Sequence, residues 1–224
     1  MLKPKRVITK KEIQRDPFLE SINKTQAHLQ DKRSYYMKMA LGLIVVLIGY
    51  NIISEKKSQS NFDASAALGQ AMVALDRGDL ENAQFQLETV ISEFSGSESA
   101  EISGYHLGKM KYESGDKNGA EIYLSQFLRD QPVDVMLSSA ALMLADISLQ
   151  GGNNQKAITF LDIGIKKSKD SHTRRIIKLE KAKLILSVGD IEGARTITDG
   201  ILSNKDVTVI EKQVAEELLG RIPG

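Results

Sequence analysis

The chain has 224 residues, a formal net charge of +1 and 42% hydrophobic residues, enough for one sizeable folded domain plus an appendage. Charge this close to neutral gives no general attraction to nucleic acid, which normally needs a basic face to displace counterions from phosphates, and this argues against it as a partner. With no cysteine, the chain has no disulfide, thiolate metal site, thiol nucleophile or acylated lipoprotein cysteine.

Residues before Thr9 form a short basic stretch with Lys3, Lys5 and Arg6, and they are expected to be a disordered end. Asp16 followed by Pro17 is a helix-start signal, and Phe18, Leu19, Ile22 and Leu29 recur at helical spacing. Residues 1–35 therefore read as a basic tail with an amphipathic helix. That helix is either a membrane-surface anchor held by acidic headgroups, the simpler reading, or a docking site for a cytoplasmic partner.

Residues 36–53 are almost wholly apolar, at the lower edge of the length that crosses a bilayer core as a helix. Leu41, Leu43, Ile44, Val45, Val46, Leu47, Ile48, Ile52 and Ile53 together favour insertion by roughly 3 to 5 kcal/mol. A buried core helix would have nothing to pack against outside the repeats described below. A cleaved signal peptide would carry its apolar run closer to the N-terminus, whereas here the run begins after more than 35 residues. The segment is thus expected to be an uncleaved signal anchor. Lys and Arg outnumber Asp and Glu before it, which places the N-terminus in the cytoplasm and everything after a linker at 54–61 on the far side. The sequon Asn23-Lys24-Thr25 would then lie on the cytoplasmic side.

From residue 62 a phrase of Gly, polar, any, polar, any, Ala returns four times. It starts at Gly78, Gly115, Gly152 and Gly189, each 37 residues after the last, and ends at Ala83, Ala120, Ala157 and Ala194. A fixed period in this range is the signature of a solenoid, whose units bury their apolar faces only by stacking on one another. The glycine suits the left-handed position that ends a helix, and Asp79, Asp116, Asn153 or Asp190 suits the N-cap of the next. Small residues also stand seven positions before each glycine, at Ala71, Gly108, Ala145 and Ala182, where two helices of one unit would approach closely. Leu87, Leu124 and Leu161 share one register, broken by Thr198; Ile91, Leu128, Ile165 and Leu202 share another. Extra residues between units are expected around Ser95 to Ser97, Gln131 to Asp134 and Ser168 to His172.

A small residue in the first helix, Gly at the turn and Ala early in the second helix resemble the tetratricopeptide repeat. The second unit matches best, with Leu107, Gly108, Gly115, Ala120 and a closing Pro132. The resemblance covers residues 62–204; its period is longer than the usual 34 or so, and it lacks the aromatic residue near the start of helix one. It implies an all-α, right-handed superhelical solenoid following one transmembrane helix, with the first helices lining a concave face that binds proteins or peptides. Positions equivalent to that face include Tyr105, Lys109, Tyr112, Leu142, Asp146, Leu149, Leu179, Lys183 and Leu186, from which Tyr105, Lys109, Tyr112, Asp146 and Lys183 are the candidate partner-binding residues. Tyr105 recurs in register with Leu68, Leu142 and Leu179, and Tyr112 with Leu75, Leu149 and Leu186, as core positions also do. No set of basic residues suggests a clamp for a terminal carboxylate.

Residues 205–224 read as a capping helix with Val207, Ile210, Val214 and Leu218 inward and Glu211, Lys212, Glu216 and Glu217 outward. Chemistry is not expected: His28, His106 and His172 lack metal-ligand spacing, Gly151-Gly152 lacks the lysine and strand of a phosphate loop, and Glu216 and Glu217 point apart. No cofactor, metal or small-molecule substrate is expected. The order of parts is similar to that of the membrane-anchored ancillary-subunit family of the bacterial Sec translocon. That resemblance implies an inner-membrane scaffold whose periplasmic repeats bind emerging polypeptides, translocon subunits or periplasmic chaperones. Scaffolding in envelope biogenesis or cell division, and regulation of a membrane enzyme, are the alternatives it leaves open.

Overall fold

A computed structural model describes residues 32–130 and 133–222 of the chain. The proposed amphipathic stretch from Phe18 to Leu29, and Gln131 and Pro132, lie outside the described residues. Among those residues every regular element is a helix: α1 Arg33–Asp76, α2 Leu80–Glu93, α3 Glu98–Glu113, α4 Lys117–Arg129, α5 Asp134–Gln150, α6 Asn154–Lys167, α7 Ser171–Ser187, α8 Ile191–Leu202 and α9 Val209–Gly220. The chain divides into a unit of residues 1–58 and a unit of residues 59–224.

In the first unit, α1 carries an 18-residue window of mean hydropathy 1.8, none of it buried within the protein. Leu41, Leu43, Val45 and Val46 are each more than 60% exposed, a costly arrangement if water surrounds them. Residues 54–61, expected to be a linker, are helical within α1.

The second unit is an array of helix pairs: the later part of α1 with α2, then α3 with α4, α5 with α6, and α7 with α8, followed by α9. All four turns are built alike. Gly78, Gly115, Gly152 and Gly189 have φ of +74°, +82°, +72° and +92°, the left-handed region that penalises any residue with a Cβ. Each glycine N–H donates to the carbonyl three residues back, and the N–H of Asp79, Asn153 and Asp190 reaches the carbonyl five residues back, closing the first helix in a Schellman motif. The same Asp or Asn then turns its side chain forward. Asp116, Asn153 and Asp190 each accept the backbone N–H three residues on at 2.9 Å, and Asp79 does so at 3.4 Å, capping the second helix.

Small side chains let the two helices of a pair meet. Ala71, Ala83, Ala120, Ala157 and Ala182 are fully buried, and a Cβ on Gly108 would stand 2.7 Å from Leu124 Cγ. Leu87, Leu124 and Leu161 are buried in the shared register; Thr198, which breaks it, is buried too, its hydroxyl donating to Ala194 O at 2.7 Å. The largest core cluster runs through α3, α4, α5, α6 and α7 around Phe127, Leu137, Ala141, Leu144 and Leu161. At the start of the array Phe62 and Val73 are 70% and 47% exposed, whereas the residues one and two periods on, Ser99, Met110, Met136 and Ile147, are buried or half-buried.

Links between pairs are fastened across units. Lys167 Nζ donates to the carbonyls of Arg129 and Asp130 at 2.6 and 2.8 Å, and the Asp134 carboxylate accepts the N–H groups of Lys169 and Asp170 at 3.0 and 2.7 Å.

The capping helix corrects the sequence reading. Ile210, expected inward, is 75% exposed, and Glu211, expected outward, is 3% exposed; the buried face of α9 is Glu211, Ala215 and Leu218. Glu211 sets this rotation because its carboxylate has two tasks. One oxygen accepts Thr208 N–H at 2.7 Å while Thr208 Oγ1 accepts Glu211 N–H at 3.2 Å, a capping box; the other accepts Arg175 Nε at 2.9 Å and meets His172 Nδ1 at 3.0 Å. Burial pushes the Glu211 carboxyl up, but the hydrogen bonds from Arg175, Thr208 and His172 outweigh it and hold the group below the ordinary carboxylate range.

Gly152→Ala is expected to lower stability by about 1 to 2 kcal/mol, read as a lower urea midpoint by circular dichroism. Because Glu211 is held below its unfolded value, its contribution is complete above that value and is lost as pH falls through the folded one. Acidification should therefore speed amide exchange in α9 before α4 to α6, and Glu211→Gln should abolish that acid step.

Candidate docking groove

The first helices of the pairs, α3, α5 and α7, stand side by side because the turns repeat at constant spacing. Their residues line a groove of about 520 Å³ that includes Tyr112, Ser139, Leu142, Asp146, Leu149, Glu180 and Leu184. Leucine and methionine side chains make it largely apolar, and a few hydroxyls and carboxylates converge on it, the usual make-up of a peptide or ligand cleft.

Two tyrosines join α3 to α5. Tyr105 is 8% exposed, its ring lies 5.4 Å from that of Phe127, and its hydroxyl donates to Ser139 Oγ at 3.0 Å. Tyr112 is half-buried and donates to Asp146 Oδ2 at 2.6 Å. The hydrogen bond to Asp146 raises the Tyr112 pKa first, burial and the carboxylate's charge adding to it, so the phenol stays a donor. Asp146, half-buried, also accepts Gln150 Nε2.

Of the five candidate partner-binding residues, the groove brings together Tyr112 and Asp146, with Leu142 and Leu149 beside them. Tyr105 lies in the core beneath α5. Lys109 and Lys183 are exposed on α3 and α7, paired with Glu113 at 3.7 Å and Glu180 at 2.6 Å. Ser139, Glu180 and Leu184 line the groove without having been singled out in the sequence. Ser139 and Asp146 follow their tyrosines by 34 residues, a spacing that would have pointed to both.

A second cavity of about 810 Å³ opens among α2, α3 and α4, where Ile91, Tyr123 and Phe127 meet Glu101, Asp130 and Lys167. Burial, then the charges of Asp130 and Glu98, push the Glu101 carboxyl up. His106 is half-buried, and burial and Lys109 lower its pKa. His28 lies outside the described residues, and among those described no three His, Asp or Glu side chains gather as a metal site.

The family model of the tetratricopeptide repeat-like domain matches residues 30–196. No match was found among curated proteins.

Tyr112→Phe removes a donor from a half-buried carboxylate and should lower stability by roughly 1 to 3 kcal/mol, measured by urea denaturation against wild type.

Proposed function

The chain belongs to the tetratricopeptide repeat-like domain family, and on that footing we propose that it is a membrane-anchored scaffold whose groove beside Tyr112 and Asp146 docks other polypeptides. Proteins of this repeat family serve as interaction scaffolds rather than catalysts. The observation that carries the reading is the groove itself: an apolar trough on three neighbouring first helices, with polar groups at defined places along it. The candidate residues Lys109 and Lys183 are exposed on α3 and α7, and the buried Tyr105 bonds to Ser139 of the groove lining.

The unburied apolar window of α1 supports anchoring by one transmembrane helix. The excess of Lys and Arg upstream supports a cytoplasmic N-terminus, with the repeats outside the cytoplasm on an inner membrane. Tethering there concentrates the groove where chains leave a translocation channel, which suits accessory work in translocation or periplasmic chaperoning.

A photo-crosslinking residue at Leu149, in the groove, is to be compared with one at Ile122, 65% exposed and outside its lining. Crosslinks in native membranes from Leu149 to translocon subunits, emerging chains or chaperones are the expected result, with far fewer from Ile122. Division or cell-wall proteins at Leu149 would favour the envelope reading instead. Crosslinks confined to Ile122 would remove the groove from the mechanism.

A further inference from the structure

We propose that the groove selects polypeptide segments in which a lysine or arginine stands among apolar side chains, with the cation seated on Asp146. The inference rests on the docking reading above and names the chemistry of the segment docked.

Lys109, Asp146 and Lys183 occupy one register position on α3, α5 and α7, 37 residues apart, so the three charges form a column of alternating sign. The two lysines each have an acidic partner on their own helix. Lys109 Nζ lies 3.7 Å from Glu113, one turn on, and Lys183 Nζ lies 2.6 Å from Glu180, one turn back. Asp146 is treated differently. The positions of α5 that match Glu180 and Glu113 carry Met143 and Gln150, neither charged, and no ion pair to Asp146 is seen among the described residues.

What Asp146 does receive are neutral donors, the Tyr112 hydroxyl at 2.6 Å and the Gln150 amide. Such donors fix a carboxylate in place and leave its charge intact. The carboxylate is half-buried and shares the groove with Leu142, Leu149 and Leu184. Low-dielectric walls strengthen its attraction for a cation relative to an open surface, and the methylene stem of Lys or Arg covers apolar wall while its head reaches the charge. An acidic segment would meet like charge at the same place.

The competing role for Asp146 is a staple from α5 to Tyr112 of α3. An amide oxygen accepts the same hydroxyl, so Asp146→Asn keeps the staple and removes the charge.

A phage library of random twelve-residue peptides panned against the full-length chain in detergent micelles tests the point. Wild type should enrich peptides with Lys or Arg flanked by Leu, Ile, Phe or Met. On Asp146→Asn the basic preference should vanish while the apolar one remains, and a synthetic copy of the leading peptide should bind about tenfold more weakly, the effect of losing a partly buried charge pair. Equal enrichment of basic residues on both proteins, or an apolar motif with no basic residue, overturns the cation preference and leaves the groove standing. If Leu149→Ser binds the leading peptide as wild type does, the peptide is not in the groove and the docking reading falls with the inference.

Discussion

Among the described residues no helix pair of the array covers its own apolar faces, and that one shortage organises the repeat unit. α5 shows it most plainly: Leu137, Ala140, Ala141 and Leu144 are all 0% exposed, because α5 packs against α6 of its own pair and against α4 and α7 of the pairs on either side. Stability is therefore shared between neighbours, as in other quasi-linear repeats. The ends are where sharing stops. At one end Phe62 and Val73 remain exposed on α1; at the other α9 covers α7 and is fixed there by a buried carboxylate rather than by apolar side chains alone.

Stacking of this kind needs each pair to present the same shape to the next. The turn provides it by giving consecutive residues linked tasks, a left-handed glycine that closes one helix and an Asp or Asn that caps the next. Little of the turn is left free to vary. The first helices therefore arrive at like orientation, and side chains one period apart form columns across α3, α5 and α7. The groove and the alternating charges of Lys109, Asp146 and Lys183 both follow from that alignment.

The bonds between columns run at a spacing of 34, not 37: Ser65 to Ser99, Tyr105 to Ser139, Tyr112 to Asp146. A residue thus touches the neighbouring helix three positions, close to one helical turn, before its own periodic equivalent, an offset between adjacent first helices. Tyr105 and Tyr112 both take part in this lateral stitching. Tyr105 is sealed in it, while Tyr112 keeps an edge in the groove and holds Asp146 toward it.

Much of the fold was legible in the sequence because local rules decide it. The recurring Gly78, Gly115, Gly152 and Gly189, the caps after them and the small residues before them determine helix ends, pair boundaries and the repeat class without any distant contact. The apolar character of residues 36–53 is equally local. Tertiary structure decided what depends on a partner far along the chain. The rotation of α9 was misread because periodicity cannot register that Glu211 meets Arg175, an ion pair across 36 residues that outweighs the apolar preference of Ile210. The placing of Asp146 is a tertiary fact of the same kind, since Tyr112 of the neighbouring helix holds its carboxylate at the groove.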